Sequence, residues 1–353
     1  MRISVLGGGL AGALLAWRLS GRRGVDVRLV TGPPSPADAT RSSGGMVRGF
    51  EPDPSNAEAA IRGLREIRAD PALRSMTGYR ETGSAYFTST RPSPSVLAML
   101  AERLPGSVSI AGPRTARARF GIADVPDGGA VVLERHAGYF DPGWLRHRLV
   151  ALLPRLGVEV VPAEVRRVRP GGYEQDYRWV GTDVVVLAAG AWTGPLLADS
   201  GLSASGLRTK AIQYGRYPVE GIMPPPFVDE HSGLYGRPAG LGQLFLGLPT
   251  DRWDLVPGSG AGPIAPAEAE AVLAAARRRF PSLRLGRPVE LVAAVDSYAP
   301  DGRLRLRTSV PGVHTFTGGS GGAAKTALAA SASAADSLLR RYTAVTARQP
   351  AIH

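Results

Sequence analysis

The chain has 353 residues, is 44% hydrophobic and contains no cysteine, which excludes disulfides, cysteine-ligated metals, iron–sulfur clusters, thiol catalysis and a cysteinyl tether to a cofactor. Its formal net charge is +12, yet only two of its 42 basic residues are lysines, Lys210 and Lys325, so the excess reflects a preference for arginine. The arginine clusters (Arg114, Arg117 and Arg119; Arg166, Arg167 and Arg169; Arg277, Arg278 and Arg279) carry no interleaved aromatics, which reads as solvated faces rather than a nucleic-acid platform, and five scattered histidines offer no metal-ligand spacing.

Residues 3–6 (ISVL) form a short apolar run that stops at three glycines, and 10–19 (LAGALLAWRL) reads as a helix. Gly7, Gly9 and Gly12 stand between them in G-x-G-x-x-G register, the arrangement of a dinucleotide-binding turn. The first glycine permits the turn, the second lets backbone approach a pyrophosphate, and the third lets helix and strand pack closely. The helix N-terminus then faces the phosphates with free N–H groups. Met1-Arg2 ahead of an apolar run also has the outline of a secretory signal. Arg18 interrupts that run, however, and no small-x-small cleavage site precedes Arg22-Arg23. The run is too short to span a bilayer.

A second strand over 25–31 ends on Thr31, where such folds place an acid for the ribose; the next acid is Asp38. A polar loop from Arg41 to Arg48 precedes an amphipathic helix over 57–70, ending before Pro71. Residues 79–134 are strand-like and turn-rich, apart from a helix near 95–104. Gly138-Tyr139-Phe140-Asp141-Pro142 leads into a helix over 144–156, Gly157 ends it, and 158–161 is a strand. Residues 182–190 (TDVVVLAAG) read as a buried strand followed by Ala191-Trp192-Thr193-Gly194. Residues 208–256 suit an antiparallel sheet carrying a pocket, and 265–280 a helix. Strands over 292–298 and 313–317 flank the turn Pro300-Asp301-Gly302. Gly318, Gly319, Ser320, Gly321 and Gly322 open an alanine-rich helix that runs to about Tyr342, and the last residues form a tail.

In this order and spacing the motifs resemble the FAD-dependent D-amino-acid oxidase, glycine oxidase and sarcosine oxidase family. They are the Gly7 to Gly12 fingerprint, the Ser42-Ser43-Gly44-Gly45 loop, the 138–142 segment before a helix, 183–192 (DVVVLAAGAW), Pro300-Asp301-Gly302 and 317–325 (TGGSGGAAK). The likeness covers most of the chain. It implies an α/β fold, with an FAD-binding Rossmann-like domain of the glutathione-reductase type interrupted by a mainly antiparallel-β substrate domain. The first would comprise 1–78, 135–207 and 288–345, the second 79–134 and 208–287, leaving a tail at 346–353.

The resemblance also implies FAD held without a covalent bond. Gly7, Gly9, Leu10 and Gly12 would hold the pyrophosphate, and Arg41, Ser42, Ser43, Gly44, Gly45 and Met46 would run along the phosphates and flavin. Val165 would meet the adenine through its backbone, while Ala189, Gly190 and Trp192 would line the cofactor. Gly318, Gly319, Ser320, Gly321, Gly322 and Lys325 would cap the pyrimidine end, where a helix start suits the negative charge of reduced flavin. The implied reaction is hydride transfer from a carbon next to nitrogen to flavin N5. The imine then hydrolyses or cyclises, and O2 or another acceptor reoxidises the flavin. The expected protein is a cytoplasmic monomer or homodimer acting on a small amine or amino acid, without nucleic-acid or membrane partners.

Two positions depart from the family. Asp296 stands where amino-acid oxidases carry an arginine for the substrate carboxylate, and an acid there suits an ammonium or hydroxyl. Arg237 and Arg48 are candidate replacements, and the acid tilts the expected substrate toward a larger or more cationic amine, as in secondary metabolism. Phe245 stands where sarcosine oxidases place a lysine that speeds reaction with O2. Lys325 matches a lysine that lies near flavin and substrate. Tyr214, Tyr217, Tyr235 and Tyr298 serve as pocket walls or core. Other functions stay open: an NAD- or FAD-dependent dehydrogenase or monooxygenase of other substrates, or a non-catalytic nucleotide binder. A halogenase W-x-W-x-I-P segment is absent. Residues 318–322 also match G-x-S-x-G, with Asp336 and His353 following in the order of a hydrolase triad built on Ser320.

Overall fold

A computed structural model describes residues 1–346 apart from Ser205 and Leu241. Strand Arg2–Leu6 lies in the interior of a six-stranded sheet, pairing in parallel with Val184–Leu187 on one side and Asp26–Thr31 on the other. Val313–Thr317 and Glu159–Pro162 extend the parallel set, and Arg305–Val310 adds an antiparallel edge. Val184–Leu187 and Val313–Thr317 are buried throughout, as a parallel sheet covered on both faces requires. On one face Ile3, Val5, Leu29 and Val186 pack against helices Leu10–Leu19, Pro54–Ala69, Pro142–Leu152 and Ala323–Thr346. On the other, Val30, Val185 and Leu187 pack against helix Thr193–Asp199 and a three-stranded antiparallel meander, Val165–Arg169, Gly172–Gln175 and Arg178–Gly181. The first turn needs glycine: Gly7 sits at φ +120°, and a Cβ on Gly12 would lie 1.9 Å from the Gly7 carbonyl oxygen.

The second region is a nine-stranded sheet. Its long strand Arg208–Glu220 pairs with Gln243–Gly247 and, over nine residue pairs, with Glu290–Tyr298. Tyr235–Gly240, Phe227–Asp229, Ser84–Thr88, Ala130–Glu134 and Val108–Ala111 continue it. Helix Pro266–Arg279 covers this sheet through a core that includes Phe87, Phe227 and Phe280. Within that core Arg279, 1% exposed, bonds Asp229 through Nε (3.0 Å) and Nη2 (2.8 Å) and the Ala123 carbonyl through Nη1 (2.6 Å). The expected domain boundary near residue 288 falls just before Glu290–Tyr298, and by pairing that strand goes with the nine-stranded sheet.

Several local expectations shift. The helix expected over 57–70 begins at Pro54, where Asp53 accepts the Asn56 N–H. At its end Asp70 accepts the N–H groups of Ala72 and Leu73 and starts a second helix, Pro71–Thr77. The expected 144–156 helix begins at Pro142 with Asp141 as its cap and tightens into a 3-10 turn over Leu153–Leu156. Helix Pro113–Phe120 and the meander were not expected from the pattern. Folding of the meander brings aromatics beside arginines that have none interleaved in the sequence. Across its strands Arg166 lies 4.0 Å from the Tyr177 ring centroid and Arg169 4.0 Å from that of Trp179.

Candidate active site

Between the two sheets runs a continuous cavity of about 2110 Å³. One end is backbone. Helix Leu10–Leu19 starts at Gly9 with no side-chain cap and no acid in its first turn, which leaves its positive end available to an anion. The Leu10 N–H is taken by Thr40 Oγ1 at 3.0 Å. Asp38 does not replace the missing acid at Thr31: its carboxylate binds Arg146 at 2.5 Å and the Thr40 N–H at 2.9 Å. Arg41, Ser42, Ser43, Gly44, Gly45 and Met46 line the next stretch. The Gly45 N–H reaches Ser43 Oγ (3.2 Å), and the Phe140 N–H reaches the Gly45 carbonyl (3.0 Å), which pins this loop to the 138–142 segment. Val165, Ala189, Gly190 and Trp192 also line the cavity.

The C-terminal glycine turn forms a second backbone wall. Ser320 adopts φ 51°, its N–H donates to the Ser297 carbonyl (3.2 Å), and the Gly321 N–H donates to Asp296 Oδ2 (2.9 Å). Helix Ala323–Thr346 then starts with Ala323, Ala324 and Lys325 at the cavity and no acid in its first turn. The triad reading of Ser320 fails here. Its Oγ donates to the Gly318 carbonyl (3.1 Å) and accepts the Ala299 N–H (3.3 Å). Asp336 is exposed further along the helix, and His353 lies outside the described residues.

Charged side chains build the remaining wall. Glu51 Oε1 lies 2.6 Å from Arg48 Nη2 and 3.1 Å from Lys325 Nζ, and all three groups are largely buried. Burial pushes the Lys325 ammonium below the usual lysine range, against the pull of Glu51. The segment carrying Glu51 is held by Glu134, which accepts the N–H groups of Gly49 (2.8 Å) and Phe50 (2.9 Å). Arg48 lines the cavity but is partly engaged: Nη2 pairs with Glu51, and Nε donates to the Phe50 carbonyl at 3.1 Å. Arg237 is committed as well. It donates to the Gly44 carbonyl and, at 2.7 Å, to the Pro238 carbonyl, is sandwiched between the rings of Tyr139 and Phe245, and is not among the cavity-lining residues.

Asp296 and Tyr298 do reach the cavity. The Asp296 carboxylate accepts the Ser297 N–H at 2.8 Å besides that of Gly321. Burial pushes its pKa up, opposed by these two donors. Burial, and then the neighbouring Asp296, likewise raise the Tyr298 phenol. Tyr235 contributes a ring but not a hydroxyl, since its O–H donates to the Gln213 carbonyl at 2.6 Å. Tyr214 stacks on Phe245 with centroids 3.9 Å apart. Phe245 in turn packs on the Arg41 to Met46 loop, where a Cβ on Gly44 would meet its ring at 3.0 Å. Tyr217 is buried in the second core, away from the cavity. Among the lining residues that sequence reasoning missed are Glu51 and Lys210. The rarity of lysine was the available signal for the second.

A deep cavity between a mainly parallel sheet and a mainly antiparallel one, with two helix starts free of acids on its lining, is the arrangement of a nucleotide-binding site. The family described as FAD dependent oxidoreductase (DAO) matches residues 2–337, and the chain belongs to it. The chain is similar to L-proline dehydrogenase from P. horikoshii at 18% identity and TM-score 0.75, covering 96% of this chain and 93% of that one. It is similar to glycine oxidase from Geobacillus kaustophilus at 18% identity and TM-score 0.75, covering 96% and 95%. It is also similar to iminodiacetate oxidase from Chelativorans sp. BNC1 at 19% identity and TM-score 0.70, covering 97% and 98%. These likenesses establish the fold. No functionally curated sequence matches the chain. Among the described residues, no helix is long and apolar enough to cross a membrane.

Proposed function

We propose that the protein oxidises the C–N bond of a small amine or amino acid with a non-covalently held FAD. The observation that carries this is the single cavity joining the Gly7 to Gly12 turn to Asp296 and Tyr298. Its lining fits the group: two helix starts free of acids suit the diphosphate and the electron-rich pyrimidine edge, and with no cysteine in the chain a thioether tether is closed. Bound there, the flavin supplies the acceptor for the hydride leaving the carbon next to nitrogen, and O2 or another acceptor takes the electrons onward.

The chain's own residues position and deprotonate the substrate. A buried Asp296 with both oxygens held by backbone N–H groups is a fixed carboxylate that can draw an amine toward it and take its proton. Tyr298 and Tyr214 wall the site and exclude water. Lys325, paired to Glu51, holds positive charge beside the C-terminal glycine turn. Phe245 brings no charge to the position that a lysine holds in sarcosine oxidases, which favours a slower O2 reaction or a different acceptor.

The test is reconstitution. Purified protein mixed with FAD and desalted should be yellow, should bleach without oxygen when its amine is added, and should release all its flavin on acid precipitation. A colourless protein after reconstitution overturns the proposal; flavin that stays with the precipitate overturns its non-covalent part.

A further inference from the structure

Both lysines of this arginine-rich chain line the same cavity. Lys325 is paired with Glu51, whereas among the described residues no acid lies within ion-pair distance of Lys210. It lies directly opposite Asp296 in the antiparallel register of Arg208–Glu220 and Glu290–Tyr298. Side chains so placed leave the same face of the sheet with Cβ atoms about 5 Å apart, and opposite charges there ordinarily bond. Here they do not. Asp296 turns to the Ser297 and Gly321 N–H groups, and the Lys210 ammonium rests 4.5 Å from the Trp253 ring centroid and 5.7 Å from that of Tyr298.

A cation and an anion therefore face one cavity from adjacent strands without neutralising each other. An aromatic cradle holds an ammonium while leaving its N–H donors free for a stronger acceptor. Arg48 and Arg237, the other cations considered for a carboxylate, are each engaged through two of their three guanidinium nitrogens, Arg48 with Glu51 and Phe50 and Arg237 with Gly44 and Pro238. We propose that Lys210 and Asp296 form a two-point clamp for a zwitterion, Lys210 binding the carboxylate and Asp296 the ammonium, so that the substrate is an amino or imino acid rather than a simple amine. Proton transfer from the ammonium to Asp296 then leaves a neutral amine and a neutral carboxyl. The proposal rests on the flavin function above and names its substrate class.

Binding is read from the flavin absorbance of the FAD-loaded protein during titration with benzoate, a carboxylate without an amine, and with benzylamine, an amine without a carboxylate. Lys210→Gln should weaken benzoate about tenfold or more and leave benzylamine within about twofold, the loss expected for one charged hydrogen bond. Asp296→Asn should do the reverse, and Lys210→Arg should retain benzoate. Repeating the benzoate titration on the apo-protein through Trp253 fluorescence, with Trp253→Phe as the control, separates the anion site from flavin loading. Unchanged benzoate affinity in a yellow, folded Lys210→Gln protein overturns the clamp and leaves the flavin function standing. A wild-type protein that loads FAD but binds no benzoate overturns it too. Failure to load FAD sinks the flavin function instead, and the apo titration still decides whether Lys210 is an anion site.

Discussion

At the Gly7–Gly12 end of the cavity the lining is mainly backbone at the start of one helix; at the sheet end it is Lys210, Asp296, Tyr298 and the Arg48–Glu51–Lys325 cluster, beside the start of the second. The backbone end is made by the absence of side chains, so it accepts any ligand with a diphosphate of the right reach. The sheet end is made by charges held apart or together at particular distances, so it discriminates. Under the proposed function, cofactor class and substrate identity are encoded by different physics within one continuous space. Losing a glycine obstructs the first, whereas losing a charge rebalances the second.

Substitutions that act on one end alone would break or sharpen this contrast. The largest stability loss should come from Arg279→Met, which leaves Asp229 charged and buried beneath the substrate sheet; about 3–5 kcal/mol is expected in urea unfolding. Gly12→Val should cost about 3 kcal/mol, because its Cβ would stand 1.9 Å from the Gly7 carbonyl, and the purified protein should be free of flavin. A Gly12→Val protein that binds FAD normally would end the claim that this turn makes the backbone end. Glu51→Gln removes the counter-charge of Arg48 and Lys325. About 2 kcal/mol of stability should be lost. Benzoate should bind about tenfold more tightly as two cations are released; weaker benzoate binding would mean that Glu51 organises the site rather than filling it.

The smallest effect lies in the frame behind the glycine end. His314 is buried on Val313–Thr317, with Nε2 2.7 Å from the Tyr342 hydroxyl, and burial lowers its pKa from 6.5 to about 4. Below the ordinary value the unfolded chain binds a proton that the native one does not, so stability should fall as pH drops from about 6.5 toward about 4. The loss should be about 2 kcal/mol. His314→Gln should flatten that slope in unfolding curves recorded across the range; an unchanged slope would assign it to other groups.

The fold and the backbone end were legible because glycines at fixed spacing between an apolar run and a helix admit few other structures. The sheet end was less so. Sequence shows that Arg48 and Arg237 are cations but not that their donors are already bonded to Glu51, Phe50, Gly44 and Pro238. Glu51 carried no local signal, since its place depends on Lys325 arriving from the far end of the chain. Asp296 was legible through the family resemblance, as the acid at the position of a carboxylate-binding arginine, but its opposition to Lys210 is a matter of strand register that neither segment contains alone. The meander was hidden by short, arginine-rich strands whose Arg166–Tyr177 and Arg169–Trp179 contacts exist only once the strands pair.

The position of Arg2–Leu6 also sets a timetable. It is made before the other described strands, yet it is interior to its sheet and flanked by Val184–Leu187. At about 5–20 residues per second, roughly ten to forty seconds of synthesis separate the two partners. During that interval one edge of a largely apolar strand has no hydrogen-bonding mate. Helix Leu10–Leu19 waits longer still, because its Arg18 finds the Leu328 carbonyl (3.3 Å) only when the last helix has been made. Nascent chains arrested before residue 187 should be bound by chaperones or aggregate, and those released after the last helix should not.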